Sequence, residues 1–190
     1  MSLDNDRNKP AQSDGASWQG RTIALVGMMG AGKSTVGRRL ADKLGRRFYD
    51  SDTEIEKAAG QSVSDIFATH GEDEFRRGEQ RVLGRLLTLE PHVLATGGGA
   101  YINADTRDLM RKHAVTVWLD ADLETLWSRV QKRQTRPLLK RPDAKQVLSD
   151  LLTEREPIYA QADLVVRSKD GPHGSTVDSI LRALEYWKPQ

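Results

Sequence analysis

Ile23-Ala-Leu-Val26-Gly27-Met-Met-Gly30-Ala31-Gly32-Lys33-Ser34-Thr35-Val36 decides the fold. Four apolar residues run without a polar break, the pattern of a strand covered on both faces. Gly27 to Ser34 then matches GxxxxGK[ST], and Val36, Leu40 and Leu44 recur at the spacing of one helix face. A strand, a glycine-rich turn and a helix start in that order make a phosphate cradle. Glycine lets the backbone curl its N–H groups around phosphate oxygens, and the helix N-terminus adds a favourable dipole. Lys33 supplies a point charge to the terminal phosphates and Ser34 a hydroxyl for Mg²⁺. Gly30, Ala31, Gly32, Lys33, Ser34 and Thr35 are therefore the candidate nucleotide-binding residues. The [NT]KxD string with which small GTPases read guanine does not occur, which favours adenine.

Outward from this stretch, short apolar runs alternate with helical patterns. Ile23–Val26, Phe48–Tyr49, Val93–Ala95, Val115–Leu119 and Leu164–Val166 read as buried strands, and their alternation with helices predicts an α/β fold with a parallel sheet. Phe75, Val82, Leu86 and Leu89 mark a second helix face, and further helices are expected over Ala104–Arg111, Leu123–Arg133, Ala144–Ile158 and Thr176–Trp187. Two segments interrupt the alternation, residues 52–89 and a basic, proline-punctuated loop at 134–142; both are candidate functional insertions.

Of 190 residues, 37% are hydrophobic, enough for one domain, expected over residues 20–190. Residues 1–19 are polar and of mixed charge, without the apolar core of a signal peptide, and read as a disordered tail. The chain has no cysteine, which excludes disulfide and thiolate-metal chemistry and suits a cytoplasmic setting. A net charge of +2 from 29 basic and 27 acidic residues argues against nucleic acid as a partner, and no apolar run is long enough for a membrane span.

The second strand ends in Phe48-Tyr-Asp50-Ser-Asp52. Residues two apart on a strand share a face, so both carboxylates are expected at one cleft, Asp50 toward Mg²⁺ and Asp52 toward an acceptor hydroxyl. Asp52 reads equally well as the N-cap of a following helix. Arg76 flanks an apolar helix stripe, the place of an ordinary surface arginine. Gly97-Gly98-Gly99 follows a strand and offers bare backbone to a ligand, or a plain tight turn. Arg136 lies in an acid-free basic run from Arg129 to Arg141, and Arg155 shares a helix face with Leu148 and Leu151.

The ordered set GMMGAGKST, FYDSD, EFRRGE, TGGGA, RPLL and EREPIY, from residue 21 to about 168, resembles the shikimate kinase family. The resemblance implies a P-loop fold of the nucleoside-monophosphate-kinase type. Its five-stranded parallel sheet is flanked by helices, with residues 52–89 as a substrate-binding insertion and 134–142 as a lid. It implies transfer of a phosphoryl group from ATP, with Mg²⁺, to the 3-hydroxyl of shikimate, a step of chorismate and aromatic amino-acid biosynthesis. Asp52, Arg76, the Gly97–Gly99 loop and Arg155 look like the shikimate contacts. Lys33 and Arg136 look like the cations on the transferring phosphate, and Arg129 and Arg167 like weaker candidates on the adenine side. Ser51 stands where many relatives have threonine. Val117-Trp-Leu-Asp120 has the form of a Walker B strand, yet the resemblance places the metal at Ser34 and Asp50. A monomer is expected, and gluconate kinase is the nearest rival activity.

Overall fold

The computed structural model describes residues 17–131, 143–168 and 173–189. Residues 1–16 of the expected tail, and the expected lid with Arg136, lie outside the described residues. Residues 17–19 are not tail: Trp18–Gly20 form a short 3₁₀ helix capped by Ser17, and the Arg46 guanidinium lies 5.3 Å from the centre of the Trp18 ring.

Five parallel strands form one sheet in the order β2-β3-β1-β4-β5. β1 (Thr22–Val26) is central and buried along its whole length, paired on one side with β3 (Val93–Ala95) and on the other with β4 (Ala114–Asp120). A central strand with helices over both faces has no solvent side, which is why its sequence runs apolar instead of alternating. The edge strands behave otherwise. β2 (Phe48–Asp50) is only half-buried, and in β5 (Leu164–Arg167) Val165 is 52% exposed, so these two are not the buried strands their apolar runs predict. An edge strand has a sheet neighbour on one side alone, and its side chains find other cover: the Arg38 guanidinium lies 4.8 Å from the centre of the Phe48 ring.

The helices are α1 (Lys33–Leu44), α2 (Ser51–Ala59), α3 (Val63–Leu87), α4 (Ala104–His113), α5 (Leu123–Gln131), α6 (Ala144–Tyr159) and α7 (His173–Glu185). α1 turns Val36 and Leu40 into the core, and α7 packs against α1 and β5 through Val177, Ile180 and Leu184. α3 starts on Ser62, whose hydroxyl accepts from Asp65 N at 3.1 Å, and buries Phe75, Val82, Leu83 and Leu86. Leu89 falls outside this stripe, 42% exposed, because the helix ends at Leu87 and the periodicity ends with it. Within α3, Gly71 has φ 78° and ψ 176°, a conformation open essentially to glycine alone, and the helix kinks there. The Phe67 and Phe75 rings meet across the kink with centroids 4.5 Å apart.

The two ends of the sheet differ in chemistry. At the carboxyl ends stand the phosphate loop after β1, Ser51 after β2, Gly97 after β3, Asp120 closing β4 and Ser168 after β5, in the crevice where open α/β sheets bind ligands. At the amino ends, His92 is 1% exposed. Its Nδ1 faces the Glu90 carbonyl at 2.9 Å and the Thr22 hydroxyl at 3.2 Å, and its ring meets Tyr49 edge-on at 4.9 Å. Its Nε2 is buried without a partner among the described residues. Burial holds the imidazole below its ordinary pKa, with the Arg46 charge adding to the shift and the Glu90 carbonyl opposing it.

Candidate active site

The phosphate loop wraps from β1 to α1 as the sequence predicts. Gly30 has φ 84°, and a methyl group on it would come 2.7 Å from Val130 Cγ2, so side chains on α5 fix the curl of the loop from behind. Gly32 is the N-cap of α1 in a left-handed conformation, and no side chain caps that turn, which leaves its N–H groups directed at the loop. The Lys33 ammonium donates to the Gly27 and Met28 carbonyl oxygens at 2.7 and 2.9 Å.

Ser34 donates its hydroxyl to Asp50 Oδ2 at 2.6 Å. The other carboxylate oxygen of Asp50 accepts from the N–H groups of Asp52 and Thr53 at 3.2 and 3.5 Å, so Asp50 and not Asp52 is the N-cap of α2. β2 ends at Asp50 and Asp52 stands in the first turn of a helix; strand alternation therefore does not relate the two carboxylates. Ser34 and Asp50 offer Mg²⁺ the hard oxygen donors it takes. Among the described residues no group of three or more histidines and carboxylates is placed to hold a metal ion. Asp120 is a strand end: its carboxylate lies 3.4 Å from Arg167 Nε, while Asp122, whose Oδ1 accepts from Thr125 N, caps α5.

The Gly97–Gly99 loop is the hub of the second half of the site. Gly97 N–H donates to Ser51 Oγ at 2.8 Å, a contact that a threonine hydroxyl could equally make. A methyl group on Gly97 would come 2.7 Å from Asp52 Oδ1 and 2.9 Å from Glu79 Oε1, so two carboxylates flank that peptide. A methyl group on Gly99 would run into the Arg76 guanidinium. Gly98 O accepts from the buried hydroxyl of Tyr159. Arg155 stands one turn before Tyr159 on α6, and its charge and that of Arg76 both lower the pKa of this phenol against the larger effect of burial. Arg155 Nε is buried without a partner among the described residues.

Arg76 is no solvated surface arginine. Its Nη1 donates to Glu79 Oε2 at 2.7 Å and its Nη2 to Glu72 at 3.1 Å. Burial alone would lower its pKa, but the two carboxylates outweigh burial and hold it above the ordinary value. Glu79 is 3% exposed with Oε1 unpartnered among the described residues. Burial pushes its carboxyl up and Asp52 pushes it the same way, against Arg76. On the nucleotide side, Arg129 Nη1 reaches the Gly30 and Ala31 carbonyls at 3.3 and 3.4 Å and Ser168 Oγ at 3.1 Å, bracing the back of the phosphate loop against the end of β5. Arg167 stands at the surface, its side chain 79% exposed and paired with Asp120.

A family model described as shikimate kinase matches residues 29–185. A shikimate kinase of Caulobacter vibrioides (strain NA1000 / CB15N) is 53% identical over 171 residues, covering 90% of this chain and 86% of the relative. The chain belongs to the shikimate kinase family. Among solved structures, a shikimate kinase from Acinetobacter baumannii in complex with shikimate superposes with a TM-score of 0.84 at 40% identity, covering 87% of this chain and 93% of that one. A gluconokinase from Sinorhizobium meliloti 1021, at 21% identity and a TM-score of 0.60, shares the fold and no more than that. The sequence reading did not single out Glu79 and Tyr159, which the fold places against the Gly97–Gly99 loop. Each had a signal: Glu79 lies three residues after Arg76 on the same helix face, and Tyr159 lies four after Arg155.

Proposed function

We propose that the chain transfers the γ-phosphoryl group of ATP to the 3-hydroxyl of shikimate, giving shikimate 3-phosphate and ADP. One observation carries the reading: Asp52 and the Arg76 guanidinium meet the same glycine loop at Gly97 and Gly99, with Arg155 beside it. That loop follows β3, the strand next to the one that ends in the phosphate loop. A carboxylate at one end and two cations at the other match a polyhydroxy acid, whose carboxylate pairs with Arg76 and Arg155 while a hydroxyl meets Asp52.

In this mechanism the phosphate loop and Lys33 hold the ATP phosphates. Lys33 leaves the Gly27 and Met28 carbonyls for the terminal phosphates, and Arg129 keeps the loop in shape from behind. Arg76 is held in place by Glu79 and Glu72, so that it meets the substrate carboxylate pre-oriented. Asp52 accepts the O–H of the acceptor. The hydroxyl oxygen bonds to the γ-phosphorus as the bond to the ADP oxygen breaks, and the hydroxyl proton leaves through Asp52. Mg²⁺, held by Ser34 and Asp50, supplies positive charge to the phosphates when bound. Arg136 in the lid adds a further cation, and Arg167 is the weaker of the two adenine-side candidates. One domain over residues 20–190 with insertions at 52–89 and 134–142, a monomeric state, a cytoplasmic location and the lack of nucleic-acid and membrane partners complete the reading. No helix among the described residues is long and apolar enough to cross a membrane.

The test is ADP release measured in parallel with shikimate, gluconate and nucleoside monophosphates, with the product identified by phosphorus NMR. Shikimate alone should stimulate release, with a 3-phosphate as product; stimulation by gluconate alone would overturn the assignment.

A further inference from the structure

Tyr159 is fully buried at the last turn of α6, and its contacts lead in three directions. Its hydroxyl donates to Gly98 O in the acceptor loop and lies 3.7 Å from Met28 Sδ in the phosphate loop. Its ring stacks on Trp118 with centroids 6.1 Å apart and planes at 28°. Trp118 in turn lies against Gly27, where a methyl group would meet its indole at 3.1 Å. A methyl group on Gly98 would sit 3.4 Å from Met29 N. Gly98 thus adjoins both the phosphate-loop backbone and the phenol of Tyr159. The Gly97 N–H is taken by Ser51, so donation from this loop to a ligand falls to Gly98 and Gly99.

We infer that Tyr159 is a positioning residue: its hydroxyl fixes the Gly98 peptide and so registers the acceptor loop against the phosphate loop. This rests on the reading of the Gly97–Gly99 loop and Arg155 as the acceptor site. A peptide plane is rigid. Holding the Gly98 carbonyl therefore also fixes the direction of the Gly99 N–H, which belongs to the same plane. Burial pushes the Tyr159 phenol above its ordinary pKa despite Arg155, so it stays a donor across the working pH range.

Tyr159→Phe keeps the ring on Trp118 and removes only the hydroxyl. Titration calorimetry well below the variant's Tm should show the shikimate Kd rising about fivefold to tenfold, the loss expected for one buried hydrogen bond. The ADP Kd should stay within about twofold. Unchanged shikimate affinity, or equal weakening of both ligands, overturns the inference. Arg155→Ala tests the underlying reading separately. If Arg155→Ala weakens shikimate and Tyr159→Phe does not, only the role of Tyr159 fails; if Arg155→Ala leaves shikimate binding intact, the acceptor-site assignment itself fails.

Discussion

Arg155 carries a buried nitrogen with no partner among the described residues, and a buried guanidinium N–H left unpaired costs free energy that a bound anion returns. Arg155→Ala should raise the shikimate KM by about tenfold to a hundredfold, the range for a charge-assisted hydrogen bond of roughly 1.5 to 3 kcal/mol. The ATP KM should move little, and steady-state kinetics with each substrate varied in turn checks both. At this scale the sequence was half legible. Lys33, Ser34, Asp52, Arg76 and Arg155 lie in strings whose spacing can be read, and the fold gathers them at one end of the sheet. What spacing cannot give is the residue opposite. Glu79 reads as a charge on a long helix, and only the packing of α3 beside the Gly97 loop turns it into a buried partner for Arg76.

Between residues and fold, α2 depends on a single carboxylate. Asp50 caps its first turn with one oxygen and takes the Ser34 hydroxyl with the other. Asn caps a helix about as well as Asp but is a poorer Mg²⁺ ligand. Asp50→Asn should keep Tm within a few degrees while the Mg²⁺ concentration for half-maximal rate rises about tenfold or more; a fall in Tm with normal Mg²⁺ dependence would leave Asp50 as a cap alone. α3 depends on Gly71 in the same way. Gly71→Ala should lose about 1 to 3 kcal/mol, from backbone strain and not from crowding, because nothing lies within 4 Å of a methyl group there. D-alanine introduced at 71 by semisynthesis should restore stability in a denaturant titration, since its favoured φ has the opposite sign. The kink is absent from any hydrophobic count: it rests on the two backbone dihedral angles of one residue, Gly71.

For the whole molecule, the α/β class and the parallel sheet were legible because helix and strand periodicities alternate along the chain. Edge and centre were not, because an apolar run has the same letters whether one neighbour or two lie beside it, as Val165 in β5 shows. Stability at this scale should respond to pH through His92. Its folded pKa lies below the unfolded value, so the unfolded chain takes up the proton first as pH falls. The neutral ring's contribution is complete above the unfolded value of about 6.5 and is lost as pH falls below it toward the folded pKa. Glu79 has the opposite sign, since its raised carboxyl favours the folded state as acid is added. Wild type minus His92→Gln cancels Glu79, and that difference in Tm should shrink between pH 7.5 and 5.5; a flat difference would remove His92 as the source.

His92 and Gly97 bracket β3, five positions apart, or about 16 Å along an extended strand. That separation exceeds the distance at which substitutions usually stop influencing one another. Changes that remove the acid-sensitive ring at the amino ends of the strands should therefore add arithmetically to changes at the glycine loop. A sturdier version of this enzyme can be sought at one pole of the sheet without renegotiating the other.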